Sequence, residues 1–150
     1  MTRKEFIKIV DHRLRLIRNE AGYTQDKMAG IIGLSKKTLI QIEKGRSSLG
    51  WMGAVAVASL FKDSEILQGV LGGEAQDMIL SLAFENYEAN YENTMGGRLW
   101  WKDIKSGDEF KVQQNIISKH YRILDKNDRR MSSSFDIEYI LKRLEELEGE

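Results

Sequence analysis

The fold of the first half of this chain is decided by residues 24–46, TQDKMAGIIGLSKKTLIQIEKGR. Thr24 and Ser35 are good N-cap residues, and the apolar spacing behind them predicts two short helices, over residues 25–32 and 36–44. A glycine between the two helices suits a left-handed backbone, and a small alanine in the first helix lets the second cross close to it. The stretch therefore predicts a helix-turn-helix unit, two short helices joined by a tight turn that contains glycine.

The sequence around this unit predicts further helices. Residues 4–21 form an amphipathic pattern with apolar residues at three- and four-residue steps, and two more helices are predicted over 51–61 and 64–71. Gly72-Gly73 is the clearest break in the chain. We place the domain boundary there, which predicts a five-helix domain over residues 1–71 and a second domain over residues 74–150.

The second half predicts an α+β architecture: a helix, a small antiparallel sheet and a C-terminal helix. The first helix is predicted over residues 74–92, with Leu80, Phe84, Tyr87 and Tyr91 as an aromatic-rich stripe. After Gly96-Gly97 the apolar period changes to two. The predicted strands cover residues 98–104, 109–115, 118–124 and 129–134. Asp136 caps the last helix, which carries Ile137, Ile140, Leu141, Leu144 and Leu147.

The composition excludes several classes of protein. The 150 residues contain no cysteine and only two, widely separated histidines, so we expect no disulfide, metal or other cofactor. Neither a nucleotide-binding glycine loop nor a catalytic constellation is present, and we do not expect an enzyme. No apolar run approaches the roughly 18–20 residues of a membrane span. The start of the chain lacks a signal-peptide core, so the expected location is the cytoplasm, with no membrane partner.

The charges are divided unequally between the two halves. The net charge is zero, but residues 1–71 carry 12 Lys/Arg against 7 Asp/Glu, whereas residues 72–150 carry 11 against 16. A basic first half and an acidic second half are compatible with a division of labour in which the first half meets a polyanion. An imbalance of five charges also arises by chance, so both interpretations stay open at this point.

The motif closely resembles the lambda-repressor-like family of DNA-binding domains, of the Cro and XRE type. The matching features are the Thr24-Gln25 start, the Met28-Ala29 pair, Gly33, the Ser35 cap and the Ile-Glu-Lys-Gly-Arg end over residues 42–46. The resemblance covers about residues 10–71. It implies a sequence-specific regulator of transcription that reads the major groove of double-stranded DNA with its third helix.

The resemblance also implies roles for single residues. The implied DNA-binding residues are Gln25, Ser35, Lys36, Lys37, Thr38, Gln41, Lys44 and Arg46. Lys36 and Lys37 would point at base edges, and Gln41 would bond adenine. Gln25 would contact a phosphate or brace the third helix, and Thr38 would touch a thymine methyl or a phosphate. Lys44 and Arg46 would contact the DNA backbone.

Three further expectations follow from the resemblance. Arg18 and Glu43 match a structural salt bridge between the first and third helices. Ile40 occupies a position that is exposed in the family. Many members have a proline after the glycine that ends the third helix. This chain offers Ser47-Ser48-Leu49-Gly50 instead, which predicts a more mobile loop.

Two functions from different classes remain open for the whole chain. The first is a repressor that binds DNA as a homodimer held by residues 74–150, because one such domain reads only half a site. The surfaces proposed for this contact are the aromatic-rich stripe, Trp100-Trp101 and the apolar side of the last helix, unless these surfaces only pack on each other. The alternative is an antitoxin-like or other protein-binding module whose C-terminal half binds a partner protein.

Overall fold

The computed structural model describes residues 1–84 and 100–149. The chain divides into two compact units, Met1–Ala89 and Asn90–Glu150, each with a hydrophobic core of its own. Within the described residues, helices fill the first unit, and the second combines an antiparallel sheet with one helix. The predicted α+β class, with an N-terminal helical domain, a further helix, a small sheet and a C-terminal helix, is confirmed.

The described part of the first unit contains six helices, and local capping sets where most of them begin. They are α1 (Arg3–Ala21), α2 (Gln25–Ile32), α3 (Lys36–Glu43), α4 (Gly50–Leu60), α5 (Glu65–Leu71) and α6 (Ala75–Ala83). The hydroxyls of Thr24, Ser35 and Ser64 accept hydrogen bonds from the backbone N–H three residues on, and so cap α2, α3 and α5. Gly22 ends α1 with φ of 74°, a left-handed conformation that favours glycine.

The long helix α1 forms one side of the core of this unit. Phe6, Val10, Leu14 and Ile17, at three- and four-residue steps, are completely buried. The other core residues come from the five remaining helices: Met28, Ala29, Leu39, Ile42, Ala54, Val57, Ala58, Leu67, Leu71, Ala75 and Ile79. The core therefore holds α2 and α3 on a rigid scaffold.

Helix α6 differs from its prediction in length and in place. The predicted helix over residues 74–92 ends at Ala83, and the backbone of Phe84 is extended with φ of −121° and ψ of 134°. Phe84 is therefore not part of a helical stripe, while Tyr87 and Tyr91 lie outside the described residues. Ala75 and Ile79 are 2% and 6% exposed in the core of the first unit, so α6 packs there rather than in the domain predicted to begin after Gly72-Gly73.

The second unit is an antiparallel meander with a helix on one face. Its strands are β1 (Trp101–Ser106), β2 (Phe110–Asn115), β3 (Tyr121–Asp125) and β4 (Arg130–Ser134), in the order β1-β2-β3-β4, and α7 (Ile137–Glu148) follows. Val112 pairs with Ile123 across β2 and β3, and both side chains are completely buried. Each edge strand has an irregularity in its pairing register, a feature that discourages edge-to-edge association.

The apolar side of helix α7 packs in the core of this unit. Asp136 caps it by accepting the N–H of Glu138, as predicted. Ile140, Leu144 and Leu147 are 0%, 2% and 7% exposed because they pack on Val112 and Ile123. This corrects one expectation: these residues are committed to the core of the unit and are not a spare surface for a second copy.

A carboxylate closes the turn between β3 and β4. Asp125 Oδ1 accepts the backbone N–H groups of Asn127 and Arg129, each at 2.9 Å, and its Oδ2 accepts Nε of Arg129 at 2.8 Å. These bonds, above all the one from the Arg129 backbone, hold the pKa of the Asp125 carboxyl below its usual value. The ionised carboxylate thereby fixes the turn that leads into β4.

Candidate nucleic-acid interface

The turn between α2 and α3 is built from backbone hydrogen bonds. The N–H groups of Gly33 and Leu34 donate to the carbonyl of Ala29 at 2.8 and 2.9 Å, and Gly33 has φ of 89°. Residues with a Cβ rarely adopt that conformation, which explains the glycine. The turn, together with the Ser35 cap, places the start of α3 directly after α2, as the sequence predicted.

One side of helix α3 is buried in the core, and the opposite side faces solvent. Leu39 and Ile42 are 0% and 2% exposed, and they fasten the helix to the core. The opposite side carries Lys37, Gln41 and Lys44, spaced three and four residues apart and therefore on one face. Both lysines are exposed and Gln41 is half-buried. This polar face is what a helix needs if it is to lie in a groove of DNA.

The start of α3 holds a second set of predicted site residues. Lys36 and Lys37 are exposed, and Lys36 Nζ lies 3.3 Å from Asp26 Oδ2 in an exposed ion pair. Ser35 Oγ accepts the N–H of Thr38 and donates to Thr38 Oγ1 at 2.9 Å. Ser35 is thus occupied as a cap, whereas the hydroxyl hydrogen of Thr38 stays available for an acceptor outside the protein.

Glu43, the last residue of α3, joins three elements. Its Oε1 lies 2.7 Å from Arg18 Nε, and its Oε2 accepts Gln25 Nε2 at 2.9 Å. Arg18 Nη1 also donates to the carbonyl of Tyr23 at 3.0 Å. The salt bridge implied by the resemblance is therefore present. The amide nitrogen of Gln25 is bonded to Glu43, so Gln25 braces α3; its contact with a phosphate stays a prediction.

The loop after α3 is tied to α1. Lys44 and Arg46 are exposed, and neither side chain forms a hydrogen bond or ion pair within residues 1–84 and 100–149. Asp11 on α1 accepts the Ser48 hydroxyl at 2.6 Å and the Leu49 N–H at 2.8 Å. The missing proline thus does not leave this loop unanchored. No local sequence pattern indicates this role of Asp11, since its partners lie 37 and 38 residues further along the chain.

Ile40 departs from the exposure that the resemblance implied. Its side chain is half-buried and lines a shallow cavity between α1 and the second half of α3. Among the described residues, no group of three or more His, Cys, Asp or Glu side chains is placed to hold a metal ion. None of the helices described is long and apolar enough to cross a membrane.

Comparisons with known proteins point to the same segment. Residues 12–67 match a family model described as a helix-turn-helix domain. An HTH-type transcriptional regulatory protein of Pyrococcus horikoshii is 29% identical over 82 residues, which cover 54% of this chain and 26% of that protein. The chain thus spans about a quarter of the length of this relative. No solved structure was found to match the chain.

Proposed function

We propose that this chain, whose residues 12–67 form a helix-turn-helix domain, is a DNA-binding regulator of transcription that reads the major groove with α3. The observation that carries the proposal is the polar face of α3, held by a buried side on a rigid core. That face is free of large apolar groups except the half-buried Ile40, and exposed cations lie at both ends of the helix. No catalytic step is part of this proposal.

The base-reading residues of the proposal are those at the start and centre of α3. Lys36 and Lys37 extend from its first turn, and a lysine ammonium donates to the O6 and N7 acceptors of guanine. Gln41, one turn later than Lys37, has an amide that can bond adenine with two hydrogen bonds. Thr38 has a free hydroxyl hydrogen for a phosphate oxygen, or a methyl group for thymine.

The cations after α3 have a different part in the proposal. Lys44 and Arg46 have side chains that are exposed and unpaired among the described residues, and they follow the helix into the next loop. Charges in this place meet phosphates rather than base edges, which raises affinity for every sequence equally. Gln25 and Ser35 support this surface from within, as a brace and a cap.

We propose further that the regulator is a homodimeric repressor located in the cytoplasm. One helix-turn-helix unit reads half a site, and a two-fold dimer places two recognition helices about 34 Å apart on successive turns of the groove. Repression then requires only that the bound dimer blocks access to the site. Because Ile140, Leu144 and Leu147 are buried in the core of the second unit, the proposed contact uses other residues of that unit.

A protein partner is the second candidate for the C-terminal unit. Four large apolar residues are exposed around one end of the sheet: Trp100 (52%), Ile116 (42%), Ile117 (71%) and Phe135 (76%). Isolated exposed apolar residues are common, but a concentration of them at one place is typical of an interaction surface. This observation suits a heterologous partner as well as it suits a second copy of the chain.

The experiment that tests the proposed function is selection of bound duplexes from a random pool by the full-length protein. A two-fold symmetric consensus supports both the regulator and the dimer. A single asymmetric half-site supports DNA binding and contradicts the dimer. Enrichment of no sequence, together with no salt-dependent affinity for any duplex, would contradict the proposed function itself.

A further inference from the structure

A cavity of about 170 Å³ lies beside the polar face of α3. Six residues line it: Arg15, Arg18, Gln25, Ile40, Glu43 and Lys44. They come from the second half of α1, the first residue of α2 and the last two turns of α3 with its cap. Ile40 and Lys44 are four residues apart on α3, on the same side as Gln41, so the cavity is next to the surface proposed to enter the groove.

Three of the polar side chains that line the cavity are bonded to each other, and two are not paired. Arg18 and Gln25 each bond one oxygen of Glu43, which uses both oxygens of that carboxylate. Arg15 and Lys44 are exposed, and neither side chain has a hydrogen bond or an ion pair with any residue in the described part of the chain. One unpaired cation therefore comes from α1 and another from the end of α3, both lining one concave site.

The lining also has an excess of positive charge. It contains three cations and one carboxylate, and that carboxylate is satisfied from inside the protein. Such a site repels metal ions and amines and attracts an anion. An arginine in this setting has donors in a planar fork, the geometry that suits two oxygens of one phosphate.

We infer that this cavity binds one backbone phosphate of the DNA, held between Arg15 of α1 and Lys44 of α3. The inference rests on the proposed function and deepens it, because it adds α1 to the interface and assigns a role to Arg15. The contact is to the backbone, so it strengthens binding to all sequences and fixes how far the second half of α3 enters the groove. Arg18 stays a structural residue beneath the phosphate.

The first test compares Arg15→Gln with Arg13→Gln in the full-length protein. Arg13 is exposed on the same helix and does not line the cavity, so it is a matched control for charge. On the duplex recovered by selection, Arg15→Gln should reduce the slope of log affinity against log salt by about 0.9 for each protomer bound, and Arg13→Gln should not change it. Between about 50 and 200 mM salt, the affinity of Arg15→Gln should then fall less than that of the wild type, by a factor of about 3.5 for each protomer bound.

The second test locates the phosphate. Single phosphates of the duplex are replaced by neutral methylphosphonates, and one replacement per half-site should weaken the wild type clearly more than it weakens Arg15→Gln or Lys44→Gln, because each variant keeps only one of the two cations. Such non-additivity is the signature of a direct contact. If Arg15→Gln behaves like Arg13→Gln, or if every replacement weakens the variant and the wild type equally, the inference is wrong. Continued loss of base preference in Gln41→Ala would show that the proposed function survives that result.

Discussion

Arg18 Nε and Glu43 Oε1, 25 residues apart in sequence, lie 2.7 Å from each other, with only 13% and 5% of the two side chains exposed. The pair joins α1 to the last residue of α3. Because Arg18 also bonds the carbonyl of Tyr23 and Gln25 bonds the other oxygen of Glu43, the end of α3 is fixed from two other helices and the turn between them. The direction in which α3 presents its polar face depends on this arrangement.

Replacing Arg18 by alanine should therefore destabilise the fold before it affects DNA. The change leaves Glu43 shielded from water without its cation, which costs up to about 3–5 kcal/mol in the free energy of unfolding. Urea unfolding without DNA measures the loss. Lys36→Ala is the control, because it breaks an ion pair whose side chains are 51% and 73% exposed and should cost only about 0–1 kcal/mol. Equal midpoints for the two variants would contradict the structural role.

Replacing Gln41 by alanine should change which sequence is bound. We expect a loss of about 1–3 kcal/mol on the selected duplex and a relaxed preference at one base pair, and a similar loss for Lys36→Ala at another. Arg46→Ala is the contrast: it should weaken all duplexes alike and reduce the salt slope by about 0.9 for each protomer bound. Repeating the selection with each variant measures both effects. An unchanged consensus with Gln41→Ala would mean that another face of α3 meets the bases.

The sequence predicted features that depend on residues close together in the chain, and it missed features that depend on contacts between distant residues. Helices α2 and α3 were predicted to within one residue, because Thr24, Gly33 and Ser35 act on backbone groups only a few residues away. The anchoring of the Ser48 loop by Asp11 was missed, since no local pattern reports a bond across 37 residues. The family resemblance located Arg18 and Glu43 but gave no role to Arg15, which depends on the local shape of this surface.

The end of α6 also depends on a contact between residues that are distant in sequence. Apolar spacing predicted a helix to residue 92, yet the helix ends at Ala83. Arg3 at the start of α1 donates Nε to the carbonyl of Leu82 at 3.1 Å and Nη2 to that of Ala83 at 3.3 Å. These carbonyls belong to the last turn of α6, where no helical N–H can reach them. Arg3 thus provides hydrogen bonds to the last carbonyls of α6 from about 80 residues away in sequence. Apolar spacing carries no information about such a contact, so it did not predict where the helix ends.

A fragment ending at Phe84 should consequently be more stable than one ending at Leu71. The shorter fragment loses Ile79, which is 6% exposed, and the two bonds that Arg3 makes to α6. Burying one large aliphatic side chain contributes about 1.5–3 kcal/mol, so we expect a difference of at least that size in the free energy of unfolding. Thermal and urea unfolding of both fragments measure it. If the two fragments unfold along the same curves, α6 does not contribute to the stability of the first unit and the prediction is wrong.

Self-association should depend on the second unit, and not on the buried side of α7. The core side of α7 is buried, and the bulged edge strands oppose pairing of two sheets. Several of the apolar side chains that stay exposed in this unit, among them Ile117 and Phe135, lie together at one end of the sheet, and we expect the contact there. The full chain should sediment at twice its 17.3 kDa at micromolar concentration, whereas residues 1–84 should stay monomeric.

The decisive comparison replaces one exposed apolar residue in each unit by aspartate. Phe135, 76% exposed beside the sheet, and Met52, 85% exposed on α4, both have most of their side chain in water, so replacing either removes little buried contact and should leave the fold intact. Phe135→Asp should weaken a dimer held by the sheet end, because a charge buried in an apolar contact is costly, and Met52→Asp should leave it unchanged. A full chain that remains at 17.3 kDa without substitution would contradict the dimer and favour a partner protein as the ligand of the second unit.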